Sequence, residues 1–144
     1  MIAPLSIMDR DNLKNQIMLK LIPPGKLPIS KSRAIRLLFL GLLYNTDVVI
    51  RRILAEHRRK DLPDDVLRMI DACRFWSNQN IPVGESATVL RFLWWFNESR
   101  GAKKNLVRSG TLVDRLVTLN PDMLNWTVEE LLDPTRVPDK TSQL

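Results

Sequence analysis

Positions 16–24, QIMLKLIPP, alternate in part between apolar and polar side chains and run into Pro23-Pro24-Gly25, the pattern of a strand leaving into a loop. A leucine-rich block then predicts a helix over about 32–44, with Ser30 and Ser32 as N-cap candidates and Asn45 as a stop. The β-branched run DVVIRRIL at 47–54 predicts a second strand, followed by the polar run AEHRRKD. Pro63 opens an amphipathic helix, PDDVLRMIDACRFW, with Val66, Leu67, Ile70, Cys73 and Phe75 near helical spacing. A short extended piece ending in Gly84 leads into an apolar helix that contains Arg91 and stops before Gly101. NLVRSGTLVDRLVTL predicts strand, turn and strand around Ser109-Gly110, and a Pro-led helix follows at 121–132.

The second half of this pattern restates the first. Arg36 and Arg91 each lie four residues past a small residue at a helix start, Ser32 and Ala87, an offset of 55 residues that suggests an internal repeat. The same step from Ala87 reaches Ser142 in the closing DKTSQL, and Pro63 corresponds roughly to Pro121. The expectation is an α/β chain of two repeated units and the beginning of a third.

Composition narrows the class. With 44% hydrophobic and 26% charged residues in 144, the chain reads as one globular domain rather than a disordered one. A net charge of +6 favours anionic partners without choosing among them. Cys73 is the single cysteine, so no intrachain disulfide can form. Asp9, Arg10 and Asp11 interrupt the first apolar stretch, and the apolar block 37–43 is too short to span a bilayer, so the expectation is a cytoplasmic protein without a membrane segment.

The helix start at 31–36 is unusual in its charge. Acids normally favour a helix N-terminus, where the macrodipole is positive. Here Lys31, Ser32 and Arg36 supply ammonium, hydroxyl and guanidinium instead, with Ser32 and Arg36 on one face. Unpaired N–H groups and these cations together suit an incoming anion. GESATVLR repeats the arrangement: Gly84 permits close backbone approach, Ser86 and Thr88 can cap, and Arg91 shares a face with Thr88. The plainer reading is a pair of capped helices with solvated basic residues.

SKSRAIRLLFLGLL, PDDVLRMIDA, GESATVLRFL, SGTLVDR and TSQ stand in the order found in 5-enolpyruvylshikimate-3-phosphate synthases, and the chain resembles that family over roughly 16–144. The resemblance implies a globe of βαβαββ units: one from about 16–76, one from about 77–133 and a third begun at about 137, all within a single partial domain spanning 1–144. It implies that Lys31 contacts both substrates, that Ser32, Arg36, Thr141, Ser142 and Gln143 hold shikimate 3-phosphate, and that Ala87, Arg115 and Gln143 lie at phosphoenolpyruvate, with Thr88 and Arg91 in support. The implied reaction adds the shikimate 5-hydroxyl to protonated phosphoenolpyruvate and then expels phosphate, using no metal and no cofactor.

Several features depart from the family. Family members continue past the TSQ motif through a second globe that holds the proton-transferring carboxylates and further phosphoenolpyruvate cations, so no catalytic residue is assigned here. Leu116 follows Arg115 where proline is usual, and Ala87 replaces a commoner glycine, adding one methyl to the pocket. Asp64, Asp65 and Glu85 read as helix-start residues rather than catalysts, and His57 as a loop residue. An alternative is a non-catalytic basic module that binds anions and is completed by another chain. The basic runs at 51–52, 58–60 and 103–104 lack interleaved aromatics in sequence, which sets nucleic acid aside in favour of solvated charge.

Overall fold

A computed structural model describes residues 31–115, 117, 119–133 and 135. Within these the chain is mixed α/β and mostly helical. In order it forms α1 (Lys31–Leu43), α2 (Val48–Glu56), a 3₁₀ turn (Arg59–Asp61), α3 (Asp64–Arg74), β1 (Asn80–Gly84), α4 (Ala87–Arg100), β2 (Asn105–Arg108), α5 (Thr111–Asp114), a second 3₁₀ turn (Pro121–Asn125) and α6 (Val128–Leu132). Among the described residues, no helix is long and apolar enough to cross a membrane.

Three helices follow the sequence pattern closely. α1 buries Ala34, Ile35, Leu37, Leu38 and Phe39 and ends at Asn45, whose positive φ of 54° is the left-handed stop that asparagine tolerates better than most residues. α3 begins behind Pro63 with Asp64 and Asp65 in its first turn and buries Val66, Met69, Ile70 and Ala72. α4 is capped by the Ser86 hydroxyl, which accepts from the Val89 N–H, and it stops at Gly101 in the left-handed conformation.

The expected strand over 47–54 is instead the helix α2. Charge spacing explains the override of β-branched propensity. Asp47–Arg51 and Arg52–Glu56 are both i,i+4 pairs at 3.0 Å, which only a helix brings together. The same turn buries Val48, Val49, Ile50 and Ile53 against α1.

β1 and β2 pair in parallel, with Asn80 opposite Asn105 and Ile81 opposite Leu106, and the register is disturbed between Pro82 and Gly84. Parallel neighbours need a long crossover, and α4 provides it. Among the described residues, the expected return strand after Ser109-Gly110 does not form. The chain enters the helical turn α5 there, because the Glu85 carboxylate accepts the Thr111 N–H at 3.0 Å and fixes its start. A Cβ at Gly110, which has φ of 54°, would overlap that carboxylate, so only glycine fits. The helix expected over 121–132 is divided into the second 3₁₀ turn and α6, the latter opened by a capping box between Thr127 and Glu130.

Helix α1 packs on α3, α3 packs on β1, and α4 covers β2. The core centres on Phe39, fully buried, which stacks on Phe92 at 5.0 Å and meets Trp95 and Phe96 edge-on at 6.2 Å. Trp95 faces inward and donates from Nε1 to the Met123 carbonyl at 2.8 Å, while its neighbour Trp94 is half-buried. α1 and α4 begin near the expected repeat offset, but α2 stands where the second unit has β2. The strand expected at 16–24 and the third unit from about 137 lie outside the described residues.

Candidate anion site at the carboxyl edge of the strands

β1 ends at Gly84 and β2 at Arg108, and the starts of α4 and α5 follow directly from these ends. In parallel α/β sheets the carboxyl edge is where helix N-termini converge and where ligands bind. α3 joins this edge from below. A Cβ on Gly84, whose φ is 63°, would stand 3.0 Å from Arg68 Cγ, so the arginine stem lies directly against the strand end. One turn earlier on α3, Asp65 receives Lys31 Nζ at 3.5 Å and brings in the start of α1.

The side chains expected from sequence fall into three groups. Lys31, Ser32 and Arg36 are together on the first two turns of α1. Lys31 is 60% exposed, and its ammonium rests on Asp65. Arg36 Nη1 donates to the Ser32 carbonyl at 3.1 Å and also to the Ser32 hydroxyl. Arg36 Nε donates to the Leu132 carbonyl at 3.0 Å, and the guanidinium lies 5.5 Å from the Phe92 ring centre. Desolvation by burial lowers the Arg36 pKa, and the Asp133 carboxylate opposes that; the group stays cationic.

Ala87, Thr88 and Arg91 form the second group on α4. Ala87 is the buried first residue of the helix, and Thr88 and Arg91 are half-buried one turn apart. Phe92, which carries the Arg36 guanidinium, lies one turn beyond Thr88, so the two helices approach each other at these residues. Arg115 follows α5 and is half-buried. Thr141, Ser142 and Gln143 lie outside the described residues.

Sequence reasoning missed Arg68 and gave Glu85 no partner. Arg68 contacts Asp64 Oδ2 from Nε at 3.5 Å, an ion pair without hydrogen-bond geometry. Its spacing of four from Asp64 was visible in sequence, but its place against Gly84 comes from packing alone. Glu85 serves α5, as the Thr111 contact shows, and Asp65 serves Lys31; both act as structural carboxylates at helix starts. Among the described residues no group of three His, Cys, Asp or Glu side chains is placed to hold a metal ion.

Chemically, the edge offers several cations beside helix N-termini, two of them held loosely by carboxylates at 3.5 Å. An anion with two or three oxygens could take over Lys31 and Arg68 from Asp65 and Asp64, since exposed ion pairs of this kind contribute little. No family model, characterised protein or solved structure matches the chain.

Proposed function

We propose that this chain supplies part of the substrate site for enolpyruvyl transfer from phosphoenolpyruvate to shikimate 3-phosphate, and that it binds these anions without turning them over alone. The observation that supports this reading is the cluster Lys31, Ser32 and Arg36 on the opening turns of α1, tied through Asp65 and α3 to the carboxyl edge where α4 begins at Ala87. In the enzymes the sequence resembles, those motif positions surround the two substrates. Cations preorganised around two anionic substrates are the physical device such a transfer needs. Lys31 would bridge both substrates, Ser32 and Arg36 would take the shikimate phosphate, and Ala87 and Arg115 would face phosphoenolpyruvate. Arg68 joins the set on geometry. No described carboxylate is assigned the proton transfer.

A second reading, a non-catalytic anion-binding module, is favoured by one specific feature. Arg36 is already committed through Nε and Nη1 to Leu132 and Ser32, which is the bonding of a structural arginine. Calorimetric titration with shikimate 3-phosphate, then with phosphoenolpyruvate, separates the readings. Lys31→Gln is the control of choice because Lys31 is exposed and holds no part of the core. Saturable shikimate 3-phosphate binding, weakened about tenfold or more by the variant, is the expected result, consistent with loss of a charge-assisted contact. Binding of inorganic phosphate with equal affinity would favour the module. No binding of either substrate by a folded chain would sink the transferase reading.

A further inference from the structure

At the opposite, amino edge of the strands, the segment after α3 and the loop joining α4 to β2 lie side by side. The Asn105 N–H donates to the Gln79 carbonyl at 2.9 Å, Gln79 Nε2 donates to the Lys103 carbonyl at 2.7 Å, and Asn105 Nδ2 donates to Asn80 Oδ1 at 3.1 Å. Asn97, 7% exposed, clamps the loop from beneath: its Nδ2 donates to the Lys104 carbonyl at 3.0 Å, and its Oδ1 accepts the Lys104 N–H at 2.8 Å. Lys103 sits at φ of 56°, uncommon for a residue with a side chain. The loop is thus held in one shape that presents two lysines.

Aromatic rings stand among these cations. Phe75 is 50% exposed, with the Arg74 guanidinium 5.7 Å from its ring centre. Lys104 Nζ lies 5.9 Å from the Trp76 ring, Trp76 meets Phe96 edge-on at 5.2 Å, and Arg100 lies 5.3 Å from Phe96. Rings position these cations without neutralising them. Among the described residues Arg74, Arg100, Lys103 and Lys104 have no carboxylate partner, whereas Lys31, Arg51, Arg52, Arg59 and Arg68 each have one. The nearby Asp71 is taken by Arg59 in a two-pronged contact at 2.8 and 2.7 Å.

We propose that this face binds single-stranded nucleic acid, stacking a base on Phe75 and taking phosphates on Arg74, Lys103 and Lys104. Interleaved aromatics and cations are the device by which single strands are held without sequence preference. The sequence reading set nucleic acid aside because the basic runs lack such aromatics; in the fold the Lys103-Lys104 run meets Trp76, which directly follows Arg74 and the exposed Phe75. A single strand fits better than a membrane surface, because the exposed neighbours of Phe75 include the amides Asn78, Gln79 and Asn80 rather than an apolar patch.

The test is fluorescence anisotropy of a labelled oligothymidylate titrated with the intact chain over a range of salt. Saturable binding is expected, with a log–log salt slope of about −2 for three phosphates on a single strand. Phe75→Ala should weaken it about 5- to 100-fold with an unchanged circular dichroism spectrum. Arg74→Gln and Lys104→Gln should each flatten the slope by about 0.7, while Arg51→Gln on α2, an exposed cation assigned to neither site, changes nothing. The proposal fails if the folded chain does not bind, or if Phe75→Ala binds as tightly as the parent. It also fails if Arg51→Gln weakens binding as much as Lys104→Gln, which would mean bulk charge, or if anionic vesicles are bound more tightly than the oligonucleotide.

Discussion

Cys73 lies on α3 where the helix packs against α1, and its thiol donates to the Leu38 carbonyl at 3.6 Å. Burial pushes its pKa up from 9.0 to about 12, because the thiolate would be stranded away from water. Between those two values the folded chain keeps a proton that the unfolded chain has lost. The thiol's contribution to stability is therefore whole below pH 9 and is lost as pH rises toward 12. Two outcomes are expected: iodoacetamide at pH 8 should modify the half-buried Cys73 far more slowly in the folded chain than after denaturant is added, and the urea midpoint should fall between pH 8 and pH 10.5 by more than it does in Cys73→Ala. Equal falls in both proteins would mean that other groups set the alkaline limit. The same burial argues against a nucleophilic role, since a reactive cysteine needs a depressed pKa and access.

Among the elements, those whose partners are local were readable from sequence. α1, α3 and α4 have apolar positions at helical spacing, and the stops at Asn45 and Gly101 lie within a turn of the residues that set them; Phe75, expected on the apolar face of α3, instead caps it and is 50% exposed. α2 was misread because Val48, Val49, Ile50 and Ile53 carry strand propensity, while the two i,i+4 ion pairs that favour a helix were counted only as polarity. The turn at α5 could not be read, because its start depends on Glu85, 26 positions upstream. A similar dependence governs the loop after α4. Asn97→Ala should leave the Lys104 N–H and C=O without partners in a partly buried place and cost about 1–3 kcal/mol. A lowered urea midpoint together with faster hydrogen exchange at Lys104 is the expected reading, and unchanged exchange would show that the loop holds itself.

Across the whole molecule, Arg36 joins the first described helix to the last, through the Leu132 carbonyl 96 positions away. Its role in sequence was read as half of an anion site, and the local contact with Ser32 was indeed legible from a spacing of four. The contact with Leu132, like that of Arg68 with Gly84 or of Lys104 with the Trp76 ring, belongs to packing and leaves no local trace. Arg36→Met should keep an apolar side chain at this position but remove the donor to the Leu132 carbonyl, a loss of about 1.5–3 kcal/mol for a hydrogen bond from a charged donor. Limited proteolysis should then cut near α6 before the core opens; simultaneous loss of both would mean that α6 is held by Trp95 and its neighbours instead. The same tether has a consequence for the order in which the chain matures. At synthesis rates of about 5–20 residues per second, on the order of 5 to 20 seconds separate the appearance of Arg36 from that of its acceptor. Through that interval the Arg36 guanidinium keeps its water and only its local Ser32 contacts, so a growing chain should stay open at this corner until translation has passed Leu132.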